Sequence, residues 1–325
     1  MGAVAKVRVI IVTHNSLPYL HRCLNALPAA WQDAGSKQGI PYRVLVVDNA
    51  STDGTVAWMS RQGASFRWHA FAENRGFAAA VNWAVQTDPE EDDILLLNPD
   101  TLPLPGSLHR LWQTLAEYPQ AAVVGPAVLK PQGGIDPRGA RTFPSLRREA
   151  WDKLGAWRWP RHPWSRRYYL GEELAEREEP QPVPALSGAV MLIRRVAWQQ
   201  VGGMDERFWL YMEDIDLCRR LQQAGWMCLY EPRARVVHWG GGSVSPANAL
   251  AMGMVALSST EKYFRKHHGW TYALAYRWLM ASLALLKGVY WGIRGDAYHL
   301  RVQAAVLSWA LGRWRERDAC ACGTV

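Results

Sequence analysis

Short apolar segments alternate with amphipathic ones over the first 130 residues of the chain. Each apolar segment is rich in Val, Ile or Leu and ends in polar residues, which is the pattern of a buried strand. The predicted strands are VRVIIVTHN (7–15), YRVLVVDNAS (42–51), FRWHAF (66–71), DDILLLNPD (92–100) and AAVVGPAVL (121–129). The intervening segments predict helices over 17–27, 52–63, 76–86 and 106–118, the first of them capped by Ser16.

Apolar strands that alternate with helices predict an α/β fold, with a parallel sheet covered by helices on both faces. In such sheets ligands bind at the carboxyl ends of the strands, near the switch in strand order. We therefore expect four polar strand endings to lie along one edge of the sheet. They are Thr13-His14-Asn15, Asp48-Asn49, Glu73-Asn74-Arg75 and Asn98-Pro99-Asp100.

The pattern changes in the second part of the chain. Residues 130–182 are rich in Pro, Gly, Trp and charge, and their weak periodicity predicts an excursion from the sheet, either a lid or an insertion that faces an acceptor. A strand over 183–195 and a helix over 214–224 follow, and Gly225 ends that helix. Residues 245–318 are predicted to be helical throughout.

The composition is that of a globular protein, since 49% of the 325 residues are hydrophobic and 20% are charged. The net charge of +8 is concentrated near the C-terminus, where residues 261–318 hold ten Lys and Arg against four Asp and Glu. This basic segment is also rich in Trp and Tyr, which favours contact with an anionic membrane surface. A solvated helix face is the alternative, and no recognised nucleic-acid-binding module is apparent.

The longest apolar stretch is WTYALAYRWLMASLALLKGVYWGI, residues 270–293. A membrane-spanning helix needs about 20 predominantly apolar residues, and here Arg277 and Lys287 would lie within the bilayer. We therefore expect an amphipathic helix that lies on a membrane surface or packs on the domain. The five cysteines show no disulfide framework and no signal peptide is visible, so a reduced, cytoplasmic protein is expected.

Asn98-Pro99-Asp100 places a carboxylate at the end of a buried strand, with prolines nearby that restrict the backbone. A buried carboxylate is costly unless a cation meets it. Because Mg²⁺ and Mn²⁺ prefer oxygen ligands and leave positions open for phosphate, Asp100 is a candidate ligand for a cation that holds a diphosphate. A plain turn is the alternative.

Three acidic residues, Glu213, Asp214 and Asp216, crowd the start of the predicted helix, just after the aromatic residues Trp209 and Tyr211. Aromatic faces beside a carboxylate are a common way of holding a sugar over a general base. The helix dipole keeps such a carboxylate ionised, as a base must be. Helix capping is the alternative interpretation.

His238 ends an apolar segment and precedes three glycines in RVVHWGGGSV, residues 235–244. A neutral imidazole at this place is able to complete a metal site with Asp100. The glycines permit close approach of the backbone or movement of the loop. A structural histidine is the alternative.

In their order along the chain, six motifs resemble family 2 glycosyltransferases, most of all the rhamnosyltransferase-like branch that builds bacterial surface polysaccharides. They are VIIVTHNSLPYLHRCLNAL, VLVVDNASTDGT, ENRGFAAAVNWA, ILLLNPDTLP, LSGAVMLIRRVAWQQVGGMDERFWLYMEDIDLCRRLQQAGW and HWGGGS, and they cover residues 7–243. The resemblance implies a GT-A fold over 1–244, with a mixed, mainly parallel sheet. Residues 1–129 would bind the nucleotide sugar, residues 130–244 the acceptor, and residues 245–325 would form a helical extension.

The implied activity is inverting transfer of a sugar from a nucleoside diphosphate sugar, with dTDP-rhamnose the leading candidate and other UDP- or dTDP-sugars the alternative. The acceptor would be a polysaccharide or a lipid-linked glycan at the inner face of the cell membrane. A catalytically silent nucleotide-binding scaffold also stays open. The C-terminal helices would contact the membrane, close the fold or form a homodimer. A Rossmann dehydrogenase is disfavoured, because no G-x-G-x-x-G follows the first strand.

The resemblance also implies the roles of individual residues. The donor nucleotide would be bound by Thr13, Asn15, Asp48, Asn74, Arg75, Gly76 and Asn98. The family's DxD-like motif is reduced here to Asn98-Pro99-Asp100, so Asp100 and His238 would hold the divalent cation, Mg²⁺ or Mn²⁺. Glu213 and Asp214 match the family's catalytic pair, with Asp214 the expected base. The acceptor would contact Gly188, Trp209 and Tyr211.

Overall fold

The computed structural model describes residues 7–33, 39–87, 92–155, 168–240 and 248–314. The chain divides into two compact units. The first comprises the described parts of Met1–Phe143, Tyr169–Trp209 and Glu213–Ser243, and the second those of Pro144–Tyr168, Leu210–Met212 and Val244–Val325. The division of residues 1–244 into a nucleotide-binding half and an acceptor-binding half stays a prediction.

Strands and short helices make up the first unit. Its strands are β1 (Val7–Thr13), β2 (Tyr42–Asp48), β3 (Arg67–Ala70), β4 (Asp93–Leu97), β5 (Thr101–Pro103), β6 (Ala121–Leu129), β7 (Ala140–Arg141), β8 (Gln181–Pro182), β9 (Ala185–Leu186), β10 (Val190–Ile193) and β11 (Met227–His238). Its helices are α1 (Leu17–Ala30), α2 (Thr55–Met59), α3 (Phe77–Gln86), α4 (Ser107–Glu117), α6 (Gly171–Leu174), α7 (Arg195–Val201) and α8 (Glu213–Gln223). The second unit holds α5 (Leu146–Lys153), α9 (Ala249–His268), α10 (Trp270–Ile293) and α11 (Ala297–Ala310).

Within the described residues, nine strands form one sheet in the order β3-β2-β1-β4-β10-β6-β11-β5, with β8 beside β11. The strands β3, β2, β1 and β4 are parallel, as are β6 and β11, while β10 and β5 run antiparallel to their neighbours. The predicted mixed, mainly parallel α/β sheet is therefore confirmed. The strand order reverses around β1, which lies between β2 and β4, so the carboxyl ends of these strands are the expected place for a ligand.

Helix α1 buries one side against the core of this sheet, through Leu20, Cys23, Leu27 and Ala30. The prediction that Ser16 caps this helix is wrong. The Ser16 hydroxyl donates to the His14 carbonyl at 2.8 Å, and the Leu17 N–H donates instead to Asp53 Oδ2 at 3.0 Å. Because Asp53 comes from the loop after β2, this capping contact is tertiary and the local sequence does not reveal it.

The excursion after β6 contains a 3₁₀ helix over Pro137–Gly139, then β7, α5, α6 and β8. Its residues 156–167 lie outside the described residues, as do residues 241–247, which include two of the three glycines after His238. The role of this segment as a lid or an acceptor-facing insertion stays a prediction.

Helices α9, α10 and α11 confirm the predicted helical character of the C-terminal region within the described residues. Arg277 and Lys287, the two charged residues of the apolar stretch, both direct their charged groups toward other residues of the second unit. Arg277 contacts Glu261 Oε1 at 3.2 Å and the Trp309 carbonyl at 2.5 Å, and the Lys287 ammonium contacts the Lys153 carbonyl. None of the described helices combines the length and apolar character needed to cross a bilayer.

Candidate active site

The ends of β1 and β2 bring Thr13 and Asp48 side by side, as register partners of two parallel strands. Asp48 Oδ2 accepts a hydrogen bond from the Ser51 N–H at 2.9 Å. Its Oδ1 and the Thr13 hydroxyl are buried and make no hydrogen bond within the described residues. Because buried polar atoms are rarely left unpaired, these two oxygens are suited to a ligand that donates hydrogen bonds.

Asn15, by contrast, uses its side chain within the protein. Its backbone has a φ of +49°, a conformation that Asn tolerates better than most residues. Its Oδ1 accepts a hydrogen bond from the Thr52 N–H at 2.7 Å, and its own N–H donates to the Ser51 hydroxyl at 2.9 Å. Asn15 therefore joins the loops that follow β1 and β2 and shapes the edge of the sheet.

Asn49, whose side-chain role the sequence did not indicate, joins the second strand ending to the third. Its Oδ1 accepts from the Arg75 N–H at 2.8 Å, and its Nδ2 donates to the Gly76 carbonyl at 3.1 Å. Asn74 Oδ1 accepts from the Gly76 N–H at 3.0 Å within the same loop. The Arg75 guanidinium lies 4.4 Å above the centre of the Phe71 ring. The structure thus brings these predicted site residues together.

Gly76 makes a close contact with Trp209. A Cβ at position 76 would lie 2.4 Å from the Trp209 carbonyl oxygen, and Gly76 has a φ of +82°, so both space and backbone require glycine. The Phe77 N–H donates to the same carbonyl at 2.8 Å. Trp209, predicted to contact an acceptor, is therefore held against the predicted nucleotide loop. Tyr211 belongs to the second unit, and its role stays a prediction.

Asp100 and His238 approach each other at the ends of β4 and β11. Asp100 Oδ1 lies 3.3 Å from His238 Nε2, and the Asp100 carbonyl accepts from the Trp239 N–H at 3.0 Å. The pairing of β5 with β11 makes Thr101 the register partner of His238, which explains why residues so far apart in sequence meet.

Asp214, in the first turn of α8, is held by backbone donors. Its Oδ2 accepts from the Gly188 N–H at 2.8 Å and its Oδ1 from the Ile215 N–H at 2.8 Å. Arg141 Nη2 lies 3.7 Å from Oδ1, a cation that the sequence did not indicate. Two backbone N–H donors and an arginine therefore surround the Asp214 carboxylate and fix its orientation.

A short loop before β10 joins Asp214 to the end of β4. Gly188, which donates to Asp214, directly precedes Ala189, whose carbonyl accepts from the Asn98 N–H at 2.9 Å. Asn98 is two residues before Asp100. The predicted metal-binding segment and the predicted base are therefore linked through two hydrogen bonds and adjacent residues of one loop.

Glu213, next to Asp214, is buried in a different way. Its burial, together with the negative charge of Asp214, raises the pKa of the Glu213 carboxyl to about 8. One of its oxygens, Oε2, makes no hydrogen bond within the described residues. Glu213 therefore keeps its proton to a higher pH than an ordinary glutamate, and Asp214 stays the predicted base of the pair.

The mixed, mainly parallel sheet, with polar strand endings along one edge, is the arrangement of a GT-A glycosyltransferase fold. Family models agree with this class: residues 8–202 match "Glycosyl transferase family 2" and residues 170–238 match "N-terminal domain of galactosyltransferase". The first match covers more than half of the chain. The chain belongs to glycosyl transferase family 2 and is a glycosyltransferase.

A curated relative covers most of the chain. It is an N-acetylglucosaminyl-diphospho-decaprenol L-rhamnosyltransferase of Mycobacterium tuberculosis, 36% identical over 292 residues, which span 85% of this chain and 90% of the relative. This similarity supports the predicted rhamnosyltransferase-like branch. A shorter match, 26% identical over 203 residues, is to the O-antigen biosynthesis protein RfbC of Myxococcus xanthus and covers 61% of this chain and 15% of that protein.

Solved structures share the fold. The mannosyltransferase PcManGT from Pyrobaculum calidifontis, in complex with GDP-Man and Mn²⁺, has a TM-score of 0.52 and 19% identity, and the match covers 99% of this chain and 80% of that one. GalNAc-T7 with UDP, GalNAc and Mn²⁺ has a TM-score of 0.52 and 14% identity over 80% of this chain and 48% of that one. Both neighbours were solved with a divalent cation.

The pair formed by Asp100 and His238 fits such a cation. Adjacent ligands of an octahedral Mg²⁺, each about 2.1 Å from the metal, lie about 3 Å apart, close to the 3.3 Å between Asp100 Oδ1 and His238 Nε2. Within the described ranges no group of three or more His, Cys, Asp or Glu side chains is arranged to hold a metal. Phosphate oxygens and water would therefore have to supply the remaining ligands, as is usual for Mg²⁺.

Proposed function

We propose that this glycosyltransferase transfers a rhamnosyl group from dTDP-rhamnose, with inversion, to an N-acetylglucosamine that is linked through diphosphate to a prenyl lipid. The mycobacterial relative's name supports the sugar and the acceptor class. The observation that carries the proposal is the hydrogen-bonded link from Asp214 through Gly188 and Ala189 to the Asn98-Pro99-Asp100 segment. It holds a base and a diphosphate-binding segment at one edge of the sheet.

The chemistry follows from this arrangement. Asp214 takes the proton of the acceptor hydroxyl while its oxygen bonds to the anomeric carbon, and the bond from that carbon to the diphosphate oxygen breaks. One displacement of this kind inverts the anomeric configuration. The N–H groups of Gly188 and Ile215 fix the carboxylate in position. When bound at Asp100 and His238, a divalent cation would neutralise the charge of the departing diphosphate.

The nucleotide is assigned to the other end of the same edge. Asp48 Oδ1 and the Thr13 hydroxyl are buried and unpaired within the described residues, so they are free to accept hydrogen bonds from a pyrimidine base or ribose. Arg75 and Gly76 lie in the loop after β3, whose backbone is hydrogen-bonded to the Asn49 side chain. Asn15 and Asn74 shape these loops, and their role in binding the donor is indirect.

The exposed face of α10 is assigned to the membrane surface. Residues 270–293 contain no Asp or Glu, and the charged ends of Arg277 and Lys287 are turned inward. The large side chains exposed along the helix include Trp270, Trp278, Leu285, Leu286, Val289 and Ile293. An uncharged apolar face, with exposed Arg265 before the helix and Arg294 after it, suits contact with an anionic leaflet.

The experiment that tests the proposed function is product formation with defined substrates. The protein is incubated with Mn²⁺, dTDP-rhamnose and an N-acetylglucosaminyl diphosphate lipid, and the product is identified by mass spectrometry and by the anomeric configuration in NMR. We expect a rhamnosylated lipid with inverted configuration. Product from another UDP- or dTDP-sugar only would contradict the choice of rhamnose. Donor binding without transfer from any sugar would favour the nucleotide-binding scaffold instead.

A further inference from the structure

A cavity of about 240 Å³ opens between α9, α10 and α11 in the second unit. Its apolar lining comes from regularly spaced positions on the three helices, including Leu250, Met254, Leu257, Met280, Val302 and Val306. Each helix thus presents residues of one face to the cavity. The nucleotide site and the proposed base do not use this cavity, which consists of residues of the second unit alone.

The cavity has a cationic end. Lys287 lines it from α10, and Lys153 lines it from the end of α5. The Lys287 ammonium contacts the Lys153 carbonyl, and Lys153 Nζ lies 3.5 Å from Asp152 Oδ2. Burial, together with the nearby Lys153, lowers the pKa of Lys287. An anionic group placed between the lysines would relieve both effects.

The apolar part extends away from these cations. Met280 and Lys287 are seven residues apart on α10, which is about 10 Å along the helix axis. Leu283, between them, also lines the cavity, and Leu286, which is 69% exposed, follows it on the next flank of the helix. A ligand with a short anionic head and a branched apolar chain matches both ends.

We propose that this cavity binds the first isoprene units of the lipid-linked acceptor, with the Lys153 and Lys287 ammonium groups facing its diphosphate. The inference rests on the proposed function for the choice of a prenyl diphosphate. It adds a binding site for the lipid part of the acceptor, built from α5 and the three C-terminal helices.

Gly253 offers a direct test, because it lines the cavity from α9 and a Cβ added there would meet no atom within 4 Å. Gly253→Leu therefore places an apolar side chain at the cavity with no clash at its Cβ, and leucine is the better helix former. Ala304→Leu adds the same side chain at an exposed position of α11 that does not line the cavity and serves as the matched control.

The first measurement compares the KM for the prenyl-linked acceptor with the KM for the same sugar on a short, water-soluble diphosphate ester. We expect Gly253→Leu to raise the ratio of the two KM values by about tenfold or more, as the loss of several buried methylene contacts would. Ala304→Leu should leave the ratio as in the unmodified protein. An unchanged ratio in Gly253→Leu would overturn the proposal.

The second measurement does not depend on sugar transfer. Binding of farnesyl diphosphate is followed by calorimetry with saturating dTDP, so that the nucleotide site is filled. We expect Gly253→Leu and Lys153→Met each to weaken it by about tenfold, and inorganic diphosphate and farnesol each to bind more weakly than the whole molecule. Equal binding in all variants would overturn the proposal, as would full competition by dispersed phosphatidylglycerol. Failure of transfer with intact farnesyl diphosphate binding would count against the proposed function alone.

Discussion

The backbone N–H of Gly188 donates a hydrogen bond to Asp214 Oδ2 across 2.8 Å. The two residues are also in close contact, since a Cβ on Gly188 would lie 3.2 Å from the Asp214 Cβ and 3.4 Å from Oδ2. Position 188 therefore sets both the orientation of the proposed base and the space beside it. The position was predicted to contact the acceptor, and the structure adds this contact with the proposed base.

Gly188→Ala should reduce kcat by about tenfold with little change in the donor KM, because the added methyl displaces the Asp214 carboxylate by a few tenths of an ångström. Steady-state kinetics with both substrates measure this. Gly39→Ala is the control, since its Cβ would approach the Trp31 carbonyl oxygen, just after α1, at a similar 3.5 Å. Equal losses of kcat in the two variants would count against the role of Gly188.

Gly76→Ala should destabilise the protein and raise the donor KM. The new Cβ would overlap the Trp209 carbonyl at 2.4 Å, and the φ of +82° adds backbone strain. Gly63 also has a positive φ, +61°, but its Cβ would meet nothing within 4 Å, so Gly63→Ala reports the strain alone. In denaturant unfolding, we expect the free energy of unfolding to fall by about 1 kcal/mol in Gly63→Ala and by at least about 2 kcal/mol in Gly76→Ala. Equal costs would contradict the contact with Trp209.

Glu213→Gln should change how stability depends on pH. The folded state raises the pKa of Glu213 from 4.5 to about 8, so between these values the folded protein binds more protons than the unfolded chain. The contribution of this group to the free energy of unfolding is therefore largest below pH 4.5, and it decreases as the pH rises toward 8. Glutamine removes this dependence.

The unfolding free energy of the unmodified protein should fall relative to that of Glu213→Gln by at least about 1 kcal/mol from pH 6 to pH 8. Denaturant unfolding at both pH values measures the difference. Parallel stability profiles would show that Glu213 is ionised at neutral pH. Because glutamine resembles a protonated carboxyl, kcat at pH 7 should stay within about threefold of the original.

His238→Gln should weaken the response to Mn²⁺, because it removes one of the two protein ligands assigned to the cation. The Mn²⁺ concentration that gives half-maximal rate should rise by about tenfold. His21→Gln, an exposed change on α1, is the control. An unchanged Mn²⁺ response in His238→Gln would remove this histidine from the metal site and leave it as a structural partner of Asp100.

The strand and helix pattern of the first 130 residues predicted the elements of the sheet, because β1, β4 and β6 are buried along most of their length and the longer helices have an apolar side. The polar strand endings meet as expected, since parallel strands place their carboxyl ends at one edge. The sequence did not separate β5 from the end of β4, although this short strand is what pairs with β11 and brings His238 to Asp100.

Side-chain roles that depend on tertiary contacts could not be predicted. The residues around Asn49 give no signal of its two hydrogen bonds to the Arg75-Gly76 backbone. Arg141 lies 73 positions before Asp214 in the sequence, so their contact could not be predicted either. Asp53 replaces Ser16 at the start of α1 for the same reason. The acidic run at α8 gave no indication that burial raises the pKa of Glu213 while the Gly188 N–H holds Asp214, because these differences come from tertiary contacts.

The most direct test of the account is single-turnover sugar transfer by Asp214→Asn, with nucleotide-sugar binding measured on the same sample and Glu117→Gln, an exposed change on α4, as the control. An asparagine keeps the size of the side chain but cannot take the acceptor proton. We expect transfer to fall by about a thousandfold or more while the donor Kd changes by less than about threefold. Transfer at near the original rate by Asp214→Asn would contradict the central claim that this carboxylate is the base.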